Sequence, residues 1–192
     1  MATHAPAGRS KNLRDLRVEK EGHVLLLRDP RFQQLDTRTK NEILRHLGIG
    51  PGEGYGPRSF DLVMTDKPVE AITSDTIHEL VDMIRLVELK TTKKAIRDEN
   101  LGGFFYGATE NEYRLAARLG DRFLFAFVVL NSQNRFGRPF AALRTLEQIE
   151  AQTKSKRIQF QVTLREGAIT DDQGRLVFIE IDEPPESSPD AG

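Results

Sequence analysis

An acidic and a basic residue stand close together inside an apolar stretch of the sequence, IRLVELKTT at residues 84–92. If this stretch is a β-strand, Glu88 and Lys90 share one face, because side chains alternate along a strand with a period of two. The residues around Glu88 are apolar, so we expect the strand to be largely buried. Charged groups are costly to bury unless they pair or bind a metal. The two residues are therefore candidates for a functional site.

A second carboxylate, Asp61, lies in the earlier stretch FDLV and can stand beside Glu88 if the two strands are neighbours. Adjacent carboxylates repel each other unless a cation neutralises them. Hard oxygen ligands without His or Cys favour Mg²⁺ or Mn²⁺, which also accept phosphate oxygens. Lys90 could then orient or help to deprotonate a water and offer positive charge to the transition state. These residues predict metal-dependent phosphodiester hydrolysis, with Asp66 and Asp75 as alternatives to Asp61.

Periodicity and capping signals predict the elements that must position these residues. We expect helices over LDTRTKNEILRHLGI with Asp36 or Thr37 as N-cap, over SDTIHELVDM capped by Ser74, and over TENEYRLAARLG with Thr109 and Glu112 as a capping box. We expect strands over SFDLVM, over residues 84–92, over the buried run 122–130, and over RIQFQVTL and RLVFIEI near the C-terminus.

Two further stretches refine this scheme. The alternation in SFDLVM puts Phe60, Leu62 and Met64 on one face of the strand and Asp61 and Val63 on the other. HVLLLR, at residues 23–28, fits either a short strand or the start of a helix. The glycine- and proline-rich GPGEGYGP at residues 50–57 predicts a loop, and without a following Gly-Lys-Ser/Thr it is not a phosphate-binding P-loop.

The order of an Asp strand, a Glu-x-Lys strand, a helix and a buried strand resembles the PD-(D/E)XK nuclease superfamily. Within it, FDLV, VELKTT and GGFFYGATENEYRLAARLGDRFLFAFVVL are similar to the carboxy-terminal domain family named after the NO VEIN protein, over roughly residues 38–131. The resemblance implies an α/β, restriction-endonuclease-like fold, a mixed central sheet flanked by helices. Here the two C-terminal strands would add a pair.

The resemblance also implies roles for individual residues. It carries over Asp61, Glu88 and Lys90 as catalytic residues, and a further Glu on the preceding helix corresponds most naturally to Glu42. Asp61, Glu88 and Leu89 become the expected positions for binding Mg²⁺ or Mn²⁺.

Length and composition set the frame for these predictions. A chain of 192 residues is long enough for one domain with a full core, which we expect over residues 13–182 between disordered tails at 1–12 and 183–192. The absence of cysteine excludes disulfides, thiol nucleophiles and thiolate zinc sites. No apolar run approaches the ~18 residues of a membrane span, and no export signal is visible. We therefore expect a cytoplasmic protein without a membrane partner.

The charge is unevenly distributed although the net charge is only −1. Residues 131–165 carry a balance of +5, and residues 166–192 a balance of −7. Solvated surface is one explanation of such blocks, and contact with nucleic acid is the other. The candidate DNA-binding residues are Lys93, Lys94, Arg135, Arg138, Lys154, Lys156 and Arg157.

The sequence thus predicts an Mg²⁺-dependent endonuclease that hydrolyses DNA phosphodiester bonds. The alternative is a non-catalytic nucleic-acid-binding or protein-interaction module on the same fold. Because one such site hydrolyses one phosphodiester, cutting both strands of a duplex calls for two copies, and we expect a homodimer built through the C-terminal third.

Overall fold

A computed structural model of the chain describes residues 13–153, and side chains from residue 16 onward. The chain divides after Lys154 into two units, and the described residues all belong to the first. In chain order the elements are α1 (Leu13–Leu26), β1 (Phe32–Gln33), α2 (Thr37–His46), β2 (Leu62–Thr65), α3 (Ile77–Leu80), β3 (Ile84–Thr92), α4 (Glu110–Leu119), β4 (Phe123–Val129), β5 (Phe140–Arg144) and α5 (Leu146–Gln152). Short 3₁₀ turns follow α3 and α4, at Val81–Met83 and Gly120–Arg122.

The described strands form one mixed sheet in the order β1-β2-β3-β4-β5. The strand β3 pairs with β2 antiparallel, Leu62 lying opposite Val87, and with β4 parallel, Lys90 lying opposite Phe127. The outer pairs β1–β2 and β4–β5 are antiparallel. A parallel pair needs a crossover connection, and here the crossover contains α4. The strand that carries Glu88 and Lys90 is therefore the centre of the sheet.

The two faces of the sheet are covered differently. On one face, apolar residues of α2, α3, α4 and α5 form a single cluster with Val63, Leu86 and Phe125 of the sheet. On the other face, Leu26 of α1 packs with Leu62, Val87, Leu89 and other strand residues. The result is a mixed α/β structure in which helices flank a five-stranded sheet, as the sequence predicted at this level.

Two helices begin with the capping residues that the sequence predicted. The Asp36 side chain accepts a hydrogen bond from Thr39 N at 2.8 Å and caps α2. At α4, Thr109 and Glu112 form a reciprocal capping box, and Gly120 follows the helix with φ of 57°. These bonds satisfy amide groups that have no partner inside the first turn of a helix.

Several details differ from the predictions. Phe60 precedes β2 and packs in the same cluster as Val63, so the expected alternation does not extend to Phe60. Ser74 does not cap the next helix, because α3 begins at Ile77 after Thr76. Residues 23–26 are the end of the helix α1, and β1, β5 and α5 were not predicted. Strands as short as β1 carry too few residues for periodicity to detect.

The predicted tails and the C-terminal strands RIQFQVTL and RLVFIEI lie outside the described residues, as do Lys154, Lys156 and Arg157. Among the described residues, no helix has both the length and the apolar character that crossing a membrane requires.

Candidate active site

The Lys90 ammonium lies between two buried carboxylates. Its Nζ donates to Glu88 Oε1 at 2.7 Å and to Glu112 Oε2 at 2.8 Å. The side chains of Lys90, Glu88 and Glu112 are only 11%, 9% and 10% exposed. Two residues of the central strand and one residue at the start of α4 thus form one ion-pair network. Its hydrogen bonds are charge-assisted and shielded from solvent, which makes them stronger than surface pairs.

Glu112 reaches this network because α4 starts in a fixed place. The same Oε2 atom accepts from the Thr109 backbone N at 3.1 Å as part of the capping box. The preceding segment is anchored by Tyr106, whose ring packs edge-on against Phe127 at 5.0 Å and whose hydroxyl lies 3.0 Å from that of Tyr113. Phe127 lies opposite Lys90 in the sheet, so these contacts hold the start of α4 close to Lys90.

Asp61 lies just before β2 and is tied to the two residues that flank Glu88. Its backbone N donates to Val87 O at 2.9 Å, and its Oδ2 accepts from Leu89 N at 2.8 Å. β2 begins only after Asp61 and pairs with β3 as far as Val87, while β3 continues to Thr92. The Asp61 carboxylate therefore serves as acceptor for the Leu89 amide in place of a backbone carbonyl of β2. Asp61 is thereby held beside Glu88.

The surroundings of Glu88 shift its pKa upwards. Burial, together with the negative charges of Asp61 and Glu112, raises the pKa of Glu88 to about 9, although Lys90 opposes the shift. The pKa of Lys90 is also raised, because the attraction of Glu88 and Glu112 outweighs the burial of its ammonium. Three carboxylates stand against two ammonium groups, Lys90 and the nearby Lys40, so the site is short of positive charge.

The donor set fits Mg²⁺ or Mn²⁺ in part. The hydrogen bonds of Asp61 and Glu88 use one oxygen of each carboxylate, Oδ2 and Oε1, and the deficit of positive charge favours a cation. Within residues 13–153, no three His, Cys, Asp or Glu side chains are grouped to hold a metal ion. A cation at Asp61 and Glu88 would thus take two protein carboxylates and fill its remaining positions with other oxygens, a common arrangement for Mg²⁺.

The other predicted site residues lie in different surroundings. Glu42, on α2, has Arg38 and Ser74 as its partners, and the structure does not bring it into the network around Lys90. Leu89 points its side chain into the cluster on the opposite face of the sheet, so only its backbone could serve a metal. Of the alternatives to Asp61, Asp66 pairs with Arg85, beyond the other end of β2. Within residues 13–153, Asp75 makes no hydrogen bond or ion pair with the network.

The candidate DNA-binding residues that the structure describes lie beyond the carboxyl ends of β3 and β4. The two segments run together there, since Leu130 N donates to Thr92 O and Arg135 N to Arg97 O, both at 2.9 Å. Lys93 pairs with Glu21 at 2.7 Å, and Arg135 pairs with Glu99. Lys94 and Arg138 have no ion pair within the described part of the chain.

Sequence reasoning missed two residues of this site. Glu112 was identified only as a capping residue, and Lys40 only as part of a helix. Lys40 Nζ donates to Phe60 O at 2.7 Å, and its charge acts on both Asp61 and Glu88. The sequence did contain a signal for Glu112. This residue is the capping-box Glu of the helix that follows the Glu-x-Lys strand, and the start of that helix lies near the strand. Lys40 had no such signal, because its position depends on how α2 docks on the sheet.

Comparison with known proteins adds no relative: the chain matches no family model, and no significant match is found among curated proteins or solved structures. The resemblance to PD-(D/E)XK nucleases therefore rests on the residues themselves.

Proposed function

We propose that this chain is a metal-dependent endonuclease that hydrolyses DNA phosphodiester bonds on a restriction-endonuclease-like fold. One observation carries the proposal: the structure brings together Asp61, Glu88 and Lys90, which are 27 and two positions apart in sequence. Asp61 accepts a hydrogen bond from Leu89 N, next to Glu88, and Lys90 donates a hydrogen bond to Glu88. Glu88 is in the middle of the central strand β3 and Lys90 is nearer its carboxyl end, while Asp61 lies just before the neighbouring strand β2. Ligands commonly bind at the carboxyl ends of strands in α/β sheets. The cavity that Asp61 lines is open beside them.

Each of these residues has a defined part in such a reaction. Mg²⁺ or Mn²⁺, when bound at Asp61 and Glu88, would polarise the phosphate and lower the pKa of water. Asp61 is oriented for this task by the Leu89 amide, and Glu88 by Lys90. Glu88 and Glu112 raise the pKa of Lys90 and keep it an ammonium. Lys90 is therefore better suited to stabilising negative charge on the phosphate than to removing a proton from water.

The decisive experiment is cleavage of supercoiled plasmid with Mg²⁺, Mn²⁺ or EDTA. We expect nicking or linearisation with either metal, none with EDTA, and a loss of at least about 100-fold in Lys90→Met, as is typical when a charge-stabilising group is removed. Lys67→Met is the matched control, because Lys67 is exposed and follows β2 at the end away from Asp61. Circular dichroism must first establish that Lys90→Met is folded.

A folded wild-type protein that leaves plasmid and single-stranded DNA intact with both metals would contradict the proposal. Cleavage that persists undiminished in Lys90→Met would contradict it as well, since the activity would then belong to another site or to a contaminant.

The second candidate is a non-catalytic binding module on the same scaffold. The observation that favours it is the closed network at Lys90, whose ammonium is already engaged by two carboxylates. Metal binding separates the two functions. If the site is catalytic, Mg²⁺ or Mn²⁺ should bind the folded protein and raise its unfolding temperature through mass action. The substitution Glu88→Gln should reduce that rise. If the network is purely structural, the unfolding temperature should not depend on either metal.

A further inference from the structure

A cavity of about 340 Å³ lies against Asp61. Its wall includes Thr37, Lys40, Arg58, Phe60 and Asp61. Two of these residues are cationic, while the neighbouring network is short of positive charge. A polyanionic substrate that approaches Asp61 and Glu88 would meet repulsion there, so cations placed beside them have a clear electrostatic use.

Lys40 is held in the wall by uncharged hydrogen-bond partners, and the charges of Asp61 and Glu88 lie nearby. Its Nζ donates to Phe60 O at 2.7 Å and to Pro57 O at 3.3 Å, and it stands 4.7 Å from the centre of the Phe60 ring. These partners are neutral carbonyl groups and an aromatic face, so none of them cancels the charge. An ammonium has three donor hydrogens, and two are engaged. The third remains for a ligand in the cavity.

Arg58 supplies a second cation from the loop just before Asp61. It is exposed, and within residues 13–153 it has no ion pair. Other arginines of the same region are engaged: Arg118, for example, pairs with Glu53 and donates to Gly48 O at 2.7 Å. A guanidinium presents a planar fork of donors that matches a phosphate group. Arg58 and Lys40 thus offer two kinds of phosphate donor on one cavity.

We propose that this cavity binds a backbone phosphate of the nucleic acid, next to the phosphodiester at Asp61 and Glu88, through Lys40 and Arg58. The inference rests on the nucleic-acid partner of the proposed function and adds the place where the substrate strand is held. It assigns Lys40 and Arg58 to substrate binding, in a region outside the basic stretch beyond β3 and β4.

The test is equilibrium binding of a fluorescein-labelled 16-base-pair DNA duplex, measured by anisotropy in EDTA at several salt concentrations. EDTA prevents cleavage, so the measurement is independent of catalysis. We expect Arg58→Gln to weaken binding roughly 5- to 20-fold and to reduce the slope of log K against log salt by about 0.9, the change for one lost phosphate contact. Lys40→Gln should act in the same direction.

Arg28→Gln is the matched control, because Arg28 is exposed and follows α1, the helix on the opposite face of the sheet. Lys40→Gln can also perturb the Pro57–Phe60 turn, so its thermal unfolding is measured in parallel. Arg58 is exposed, and its substitution keeps the test valid if Lys40→Gln fails to fold. Loss of stability alone would not change the salt slope of the folded protein.

The outcomes separate this inference from the proposed function. A reduced slope in Arg58→Gln without any plasmid cleavage by the wild type supports the phosphate site and rejects the nuclease. Cleavage by the wild type together with an unchanged slope in Arg58→Gln overturns the phosphate site and leaves the nuclease standing. Wild-type protein that does not bind the duplex also overturns the phosphate site.

Discussion

The raised pKa of Glu88 predicts how the stability of the fold depends on pH. Its pKa of about 9 lies above the ordinary value of 4.5, so the folded state binds the proton more tightly than the unfolded state does. The stability that protonated Glu88 contributes to the folded state is complete below pH 4.5 and is lost as the pH rises towards 9. Each pKa unit corresponds to about 1.4 kcal/mol.

We therefore predict that Glu88→Gln reduces the loss of stability between pH 5 and pH 8 by at least about 1 kcal/mol. The amide imitates the protonated carboxyl and cannot ionise. Urea unfolding of both proteins at the two pH values measures the difference. Glu79→Gln, at a carboxylate that is 72% exposed, is the control and should behave like the wild type. An equal pH dependence in Glu88→Gln and wild type would show that Glu88 ionises normally.

Glu112 serves the helix and the site at once, and two substitutions can separate these tasks. Gln at the third helical position can still complete a capping box, so Glu112→Gln removes only the charge beside Lys90. Glu112→Ala removes the charge and the cap. We predict that Ala destabilises the fold by about 1 kcal/mol more than Gln does, the usual effect of a lost cap. Equal unfolding free energies for the two variants would mean that the cap contributes nothing here.

At the scale of elements, Gly22 decides how closely α1 approaches the site strand. A Cβ atom at Gly22 would lie 2.3 Å from Thr91 Oγ1 and 3.0 Å from Thr91 Cγ2. Glycine inside a helix normally weakens it by about 1 kcal/mol relative to alanine. Here we predict that Gly22→Ala destabilises the protein, by about 1–3 kcal/mol as in other overpacked sites, because α1 must move away from β3.

A double-mutant cycle tests the cause of that effect. Thr91→Ala removes the two closest atoms, so Gly22→Ala should be better tolerated in the Thr91→Ala background than in the wild type. Urea unfolding of the four proteins gives the coupling energy. If the two substitutions simply add, the destabilisation does not come from this contact.

Much of the framework followed from the sequence where local signals were strong. The capping residues Asp36, Thr109 and Glu112 and the buried strand at 123–129 were predictable because each is specified by neighbouring residues. The helix α1 was not predicted. Glycine at position 22 is a poor helix former, and the close approach of the helix to Thr91 of β3 explains why a glycine stands there. The helix α5 was missed although Thr145 and Gln148 form a second capping box, which was a readable signal.

The candidate site was likewise predictable only where local sequence specifies it. Glu88 and Lys90 share a face because of strand geometry alone, which the sequence contains. The approach of Asp61 depends on the pairing of β2 with β3, and the positions of Lys40 and Glu112 depend on how α2 and α4 dock. Tertiary contacts of this kind leave little trace in one sequence, and Glu42 was chosen over its neighbour Lys40 by resemblance.

The proposed reaction predicts how many copies of the chain assemble. One site cuts one strand, so a duplex-cutting enzyme needs two copies, and two-fold dimers are the commonest form. We predict a homodimer through the C-terminal third, in which one of the predicted strands at 158–164 and 176–181 forms a sheet edge for pairing. Both stretches lie outside the described residues. Light scattering should then give twice the chain mass of 21.7 kDa, with linearised plasmid as product. A monomer mass with nicking alone would contradict the dimer.

The central position of β3 also governs how the site can move. Its residues 84–87 pair with β2 on one side, and its residues 86–92 pair with β4 on the other. Exposing its amides to deuterium therefore requires the middle of the sheet to come apart. Such amides exchange only through openings close to global unfolding. Glu88 and Lys90 on this strand therefore have little freedom to adjust to a bound molecule. Any adaptation during recognition must come from peripheral segments, of which the glycine-rich loop at 50–57 lies nearest along the chain to Asp61.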